Sequence, residues 1–99
     1  MKDLLVNINK AFESKARLGI MSVLMVNEQI DFNSLKELLD LTDGNLASHL
    51  KALEELEYIA VWKQFIGRKP NTTYRATDQG KKAFESHLQA LENLIKGNR

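Results

Sequence analysis

Apolar residues between Asp3 and Asn27 recur mostly at three- and four-residue intervals: Leu4, Leu5, Ile8, Ala11, Phe12, Ala16, Leu18, Ile20, Val23 and Leu24. Such spacing lines one face of a helix, and Glu13-Ser14 is placed to cap a break, so one helix or two consecutive helices are predicted. Beyond the polar Asn27-Glu28-Gln29, the triplet Ile30-Asp31-Phe32 alternates as a short strand would. A helix is expected to start next at Asn33 or Ser34. There Ser34-Leu35-Lys36-Glu37 has the form of a capping box, in which a hydroxyl and a carboxylate each meet the other residue's free amide. Leu35, Leu38 and Leu39 make its stripe, and Asp40-Leu41-Thr42-Asp43 interrupts it with turn and cap formers. A further helix opens at Thr42 and repeats Leu46, Leu50, Leu53 and Leu56 on one side, leaving Asn45, Ser48, His49 and Lys51 mainly elsewhere.

After Tyr58 the pattern turns from helical to extended. Ile59 to Ile66 is rich in β-branched and aromatic residues, Gly67-Arg68-Lys69-Pro70-Asn71 predicts a turn, and Thr72 to Ala76 returns as a second strand. The last helix runs from a Thr77 N-cap to about Lys96, with Phe84, Leu88, Leu91 and Ile95 at offsets of four, three and four. Gly97 ends it. The predicted order is α-α-(short β)-α-α-β-β-α, mainly α with a small β-hairpin (α+β), in a single domain over residues 1–99.

A 99-residue chain with 43% hydrophobic residues can bury one ordinary core. The absence of cysteine excludes disulfides, thiolate metal sites and thiol nucleophiles together. The apolar run Ile20 to Val26 is far shorter than the roughly 20 residues a membrane span needs. Met1-Lys2-Asp3 does not open a secretory signal, and a cytoplasmic location is expected. The formal net charge of +1 conceals a segregation. From Glu28 to Glu57 eight acidic residues stand against Lys36 and Lys51, whereas from Val61 to Lys82 six basic residues stand against Asp78 alone. A basic segment on a near-neutral domain focuses cation density on one surface, as nucleic acid requires.

Two short helices joined by a tight turn and followed at once by a hairpin with a cationic tip form a winged helix-turn-helix, which meets duplex DNA at two points. The second helix of the pair fits the major groove, where Asn45, Ser48, His49 and Lys51 could reach base edges. At its start Thr42 and Gly44 offer free amides and the positive end of the helix dipole to a phosphate; the plainer reading is an ordinary capped turn. Arg68 and Lys69 at the hairpin tip suit a minor groove or its phosphates, with Lys63 and Arg75 as flanking contacts; the plainer reading is a solubilising turn. His87 is expected to be an exposed or interface residue. Leu4, Leu5 and Ile8 with Phe84, Leu88, Leu91 and Ile95 form apolar surplus at the two ends of the chain. Paired across a two-fold axis, they would set two recognition helices about 34 Å apart on a palindromic site. No phosphate loop, nucleophile elbow, carboxylate pair or metal-ligand spacing is present, so no enzyme, cofactor or metal is expected.

The runs Thr42 to Leu56 and Lys63 to Gly80 resemble the small winged-helix regulators related to the MarR and ArsR groups. Ser48-His49-Leu50-Lys51 and Gly67-Arg68-Lys69-Pro70 carry most of the resemblance, which extends from about Phe12 to Lys96. It implies a homodimeric transcription factor whose third helix reads the major groove and whose wing contacts the backbone or minor groove. The cysteines of metal-sensing ArsR proteins are missing. The chain is also shorter at both ends than full-length MarR proteins, so their effector pocket is not carried over. A winged helix that binds protein instead of DNA stays open as the alternative.

Overall fold

The computed structural model describes residues 5–97. A single 3₁₀ turn, Lys10–Phe12, precedes helix α1 (Lys15–Val26), strand β1 (Ile30–Asp31), helices α2 (Phe32–Leu39) and α3 (Asp43–Glu55), strands β2 (Ile59–Ile66) and β3 (Lys69–Ala76), and helix α4 (Asp78–Ile95). The break foreseen at Glu13-Ser14 is real, with Ser14 capping α1 through its hydroxyl, which accepts the Arg17 N–H. Helix α2 begins earlier than the Ser34 pattern predicts. Asp31 is the N-cap, its carboxylate accepting both the backbone N–H of Ser34 at 3.1 Å and the Ser34 hydroxyl at 2.6 Å. A carboxylate three residues ahead of Ser34 outcompetes a box in which Ser34 would itself be the cap, and these bonds hold the Asp31 carboxyl below its usual range.

The strands form one antiparallel sheet in the order β1-β3-β2. Ile66 pairs with Lys69, so the turn is only Gly67-Arg68, and Lys69, Pro70 and Asn71 belong to β3 rather than to the five-residue turn expected. Gly67 has φ +66 whereas Arg68 is not among the positive-φ residues, the pattern of a type II′ turn. Proline is tolerated in β3 because hydrogen-bonded and non-bonded pairs alternate. Ile66–Lys69 closes the turn, the next pair Phe65–Pro70 is non-bonded, and the missing N–H faces an edge that β1, paired only at Thr73 and Tyr74, does not reach.

Phe12, Ile20, Met21, Leu24, Leu35, Leu46, Leu50, Leu53, Ile59 and Phe84 make the core. Phe12 is its hinge, meeting Phe84 edge-on at 5.1 Å and stacking on Tyr58 at 5.5 Å between ring centroids. The radius of gyration, 15.0 Å, exceeds the about 13 Å of a compact 100-residue domain. The molecule is long, 55 × 25 × 21 Å, and leaves apolar groups uncovered on the wing and on the distal half of α4.

Candidate nucleic-acid interface

Helix α3 is held by Leu46, Leu50 and Leu53 on its inner side, which turns Gly44, Asn45, Ala47, Ser48 and Lys51 outward. Thr42 is the N-cap, its hydroxyl accepting the Asn45 N–H at 3.2 Å. Helix geometry leaves the amides of Asp43 and Gly44 to partners outside the helix. A Cβ on Gly44 would meet nothing within 4 Å, so the fold makes no steric demand for glycine there. Asp43, whose charge would repel a phosphate, is ion-paired to Lys36 of α2 at 2.9 Å. The turn between the paired helices passes through Asp40 in the left-handed region, φ 52 and ψ 50, a conformation that aspartate adopts more readily than most residues.

His49 is half-buried rather than free on the outer face, and its Nδ1 accepts a hydrogen bond from Nε of Arg17 at 3.1 Å. With Nδ1 accepting, the ring proton sits on Nε2 as a donor. Arg17 on α1 thereby joins the edge of the recognition surface with guanidinium N–H groups to spare. Sequence reasoning missed it, because partners 32 positions apart carry no local signal.

Alternation along β2 and β3 divides the wing cations between two faces. Ile59, Val61, Lys63 and Phe65 oppose Ala76, Tyr74, Thr72 and Pro70 on the face whose base, Ile59, enters the core. Burial, and then the charge of Glu54, push the Tyr74 phenol up, which ties this face to the end of α3. Arg75 opposes Ala60 on the other face, beside Trp62. Lys63 and Arg75 therefore flank the strand pair on opposite faces. Arg68 and Lys69 are exposed at the tip.

The terminal apolar residues also separate. Leu4 lies outside the described residues. Leu5 is 65% exposed, Leu88 44% and Ile95 86%, while Ile8 and Leu91 are half-buried. Phe84 is a correction: at 2% exposure it belongs to the chain's own core and is unavailable to a partner. His87 is a second correction. It is 3% exposed, and its Nδ1 accepts the backbone N–H of Asn9 at 3.0 Å, while the Asn9 side chain donates to the Tyr58 hydroxyl at 3.1 Å. The inner stripe of α4 is thus Gly80, Phe84, His87 and Ala90, and Leu88 and Ile95 lie outside it.

Burial holds the His87 pKa below its ordinary 6.5, with the charge of Glu13 only partly opposing. Above that pH the ring is neutral folded and unfolded alike. As the pH falls through it, the unfolded chain takes up a proton that the folded chain resists, so stability drops toward acid and levels off below the folded pKa. Melting at pH 7.5 and 5.5 should show this loss in the parent and a smaller one in His87→Gln; equal losses would contradict it.

Among the described residues no group of three or more His, Cys, Asp or Glu is placed to hold a metal ion, and no helix is long and apolar enough to cross a membrane.

A family model described as a winged helix DNA-binding domain matches residues 16–95. An uncharacterized protein of Methanocaldococcus jannaschii is 39% identical over 87 residues, spanning 88% of this chain and 95% of that protein. The solved structure of a transcriptional regulator homologue from Pyrococcus horikoshii superimposes with a TM-score of 0.85 at 31% identity, covering 97% of this chain and 93% of that one. The protein AbfR, solved in reduced form bound to DNA, shares the fold with a TM-score of 0.74 at 18% identity, over 93% of this chain and 64% of that one.

Proposed function

We propose that this chain, which belongs to the winged helix DNA-binding domain family, is a transcriptional regulator that binds double-stranded DNA sequence-specifically as a homodimer in the cytoplasm. The observation that carries the reading is the outward face of α3, where Gly44, Asn45, Ser48 and Lys51 are exposed and free of core duties. In this reading Asn45, Ser48, Lys51 and the Nε2–H of His49 reach base edges in the major groove. The Thr42 to Gly44 turn seats a phosphate, and Arg17 grips the backbone alongside. Arg68 and Lys69 enter the adjoining minor groove or clasp its rim, with Lys63 behind them.

Dimerisation is supported by what the monomer leaves uncovered. Leu5, Val6, Leu88 and Ile95 are exposed at the two ends of the chain, and α4 carries Leu88 and Ile95 outside its buried stripe. A two-fold pairing of these ends would cover them. The operator would then be a palindrome.

Selection of bound duplexes from a random pool tests the reading. Two inverted half-sites with centres about 10 base pairs apart are expected. Enrichment of one unrepeated half-site would contradict the dimer. Recovery of no sequence over background, with weak binding indifferent to salt, would contradict DNA recognition and favour a protein-binding winged helix.

A further inference from the structure

The wing carries more than cations. Phe65 is 73% exposed and Ile66 62%, on the last two positions of β2 before the turn, and the exposed Pro70 stands opposite Phe65. Because neighbouring strand residues point to opposite faces, the tip presents an apolar group on each side of a hairpin only two strands wide. No core residue requires them there: the hairpin's buried members, Ile59 and Thr73, lie nearer its base. A large apolar group at a projecting tip costs solubility and marks a surface made for a partner.

The charge around it identifies that partner. Between Glu57 and Asp78 the chain contains Lys63, Arg68, Lys69 and Arg75 and no acidic residue. A protein groove taking Phe65 and Ile66 would have to be acidic as well as apolar, whereas a duplex offers phosphates outside and apolar base faces within. Proteins that bend DNA use this combination: cations hold the minor-groove walls while Phe, Ile or Pro enters between base pairs and unstacks them.

We infer that the wing tip is a wedge, and that Phe65 opens a base-pair step in the minor groove while Ile66, on the opposite face of the hairpin, packs against the groove wall and Arg68 and Lys69 hold the flanking phosphates. The inference rests on the DNA-binding reading above and adds to it a distortion of the duplex. Flexible pyrimidine–purine steps resist unstacking least and would be preferred beneath the wing, which makes Phe65 specificity-determining without any hydrogen bond to a base.

The test uses the selected duplex with 2-aminopurine placed in turn at each adenine of the site, since this base brightens on unstacking. The parent chain should raise fluorescence at one step on each outer flank. Phe65→Ala with Ile66→Ala should abolish the rise and weaken binding roughly tenfold, while leaving the slope of affinity against salt unchanged because every cation remains. Both residues are exposed, so melting should not move, and Phe65→Tyr should restore the signal. Salt-dependent binding by the parent without any rise in fluorescence would overturn the wedge and leave DNA recognition standing. A lower sedimentation coefficient for the free double variant would assign these side chains to contact between copies of the chain, and would equally overturn it. Failure of the parent to bind any duplex would remove both.

Discussion

Gly80→Ala should cost about 3 kcal/mol or more and unfold most of the chain at physiological temperature. Gly80 opens α4 at the point where that helix meets the chain leaving α3. A Cβ there would lie 2.7 Å from the carbonyl carbon of Tyr58 and 2.9 Å from its Cα. Both are backbone atoms, and no side chain can swing aside. Nor can the backbone yield cheaply, because the Tyr58 carbonyl accepts the Thr77 N–H at 3.0 Å and the Glu57 carbonyl accepts the Thr77 hydroxyl at 2.6 Å. That same hydroxyl accepts the Gly80 N–H at 2.9 Å, so helix cap, chain reversal and close approach form one joint. The joint fixes the hairpin against α3, and partial rescue at low temperature should therefore leave DNA binding impaired as well. Chemical denaturation checks the expected loss; an unfolding free energy within about 0.5 kcal/mol of the parent would show that the two backbones separate freely.

Arg68→Ala combined with Lys69→Ala removes four cations from the proposed dimer, two per protomer, and should weaken duplex binding about 10³- to 10⁴-fold at 0.1 M salt and lower the slope of log affinity against log salt by about four. Each phosphate contact releases roughly one counterion, and each released counterion contributes roughly tenfold at that salt concentration. Both side chains are exposed at the tip, and the turn conformation is supplied by Gly67 rather than by Arg68, so the fold should not change. Fluorescence anisotropy over a salt series reads affinity and slope together. A uniform loss of affinity with an unchanged slope would show that the tip does not meet phosphate.

Periodic spacing made the helices and the hairpin legible in the sequence, because each rests on local rules. Leu46, Leu50 and Leu53 are buried as their spacing requires, and Thr42 and Thr77 cap the helices their positions predict. Helix α4 shows where local rules stop. Phe84, Leu88, Leu91 and Ile95 read as one stripe, yet the core takes Gly80, Phe84, His87 and Ala90. A glycine, an alanine and a histidine give little apolar signal. Gly80 is buried because the Tyr58 backbone comes close there, and His87 because Asn9 supplies the hydrogen bond that a buried imidazole needs. At the start of α2 two local signals compete, and Asp31 takes the cap that the Ser34 pattern also fits. The wing turn is shorter than the sequence predicts because Pro70, a turn former in isolation, is acceptable in a strand where its nitrogen faces an open edge. Arg17 and the exposure of Phe65 and Ile66 depend on tertiary placement, which spacing does not encode.

In the proposed complex the N-terminal half of α3 and the hairpin tip touch one duplex at once. Titrating the selected duplex into isotopically labelled protein and following its amide resonances tests it most directly. Thr42, Gly44, Asn45, Ser48 and Lys51 should shift together with Arg68 and Lys69 at a single stoichiometric end point, while Leu88 and Ile95 stay where they were. Shifts confined to α4, or to α3 and the tip at two separate end points, would contradict it.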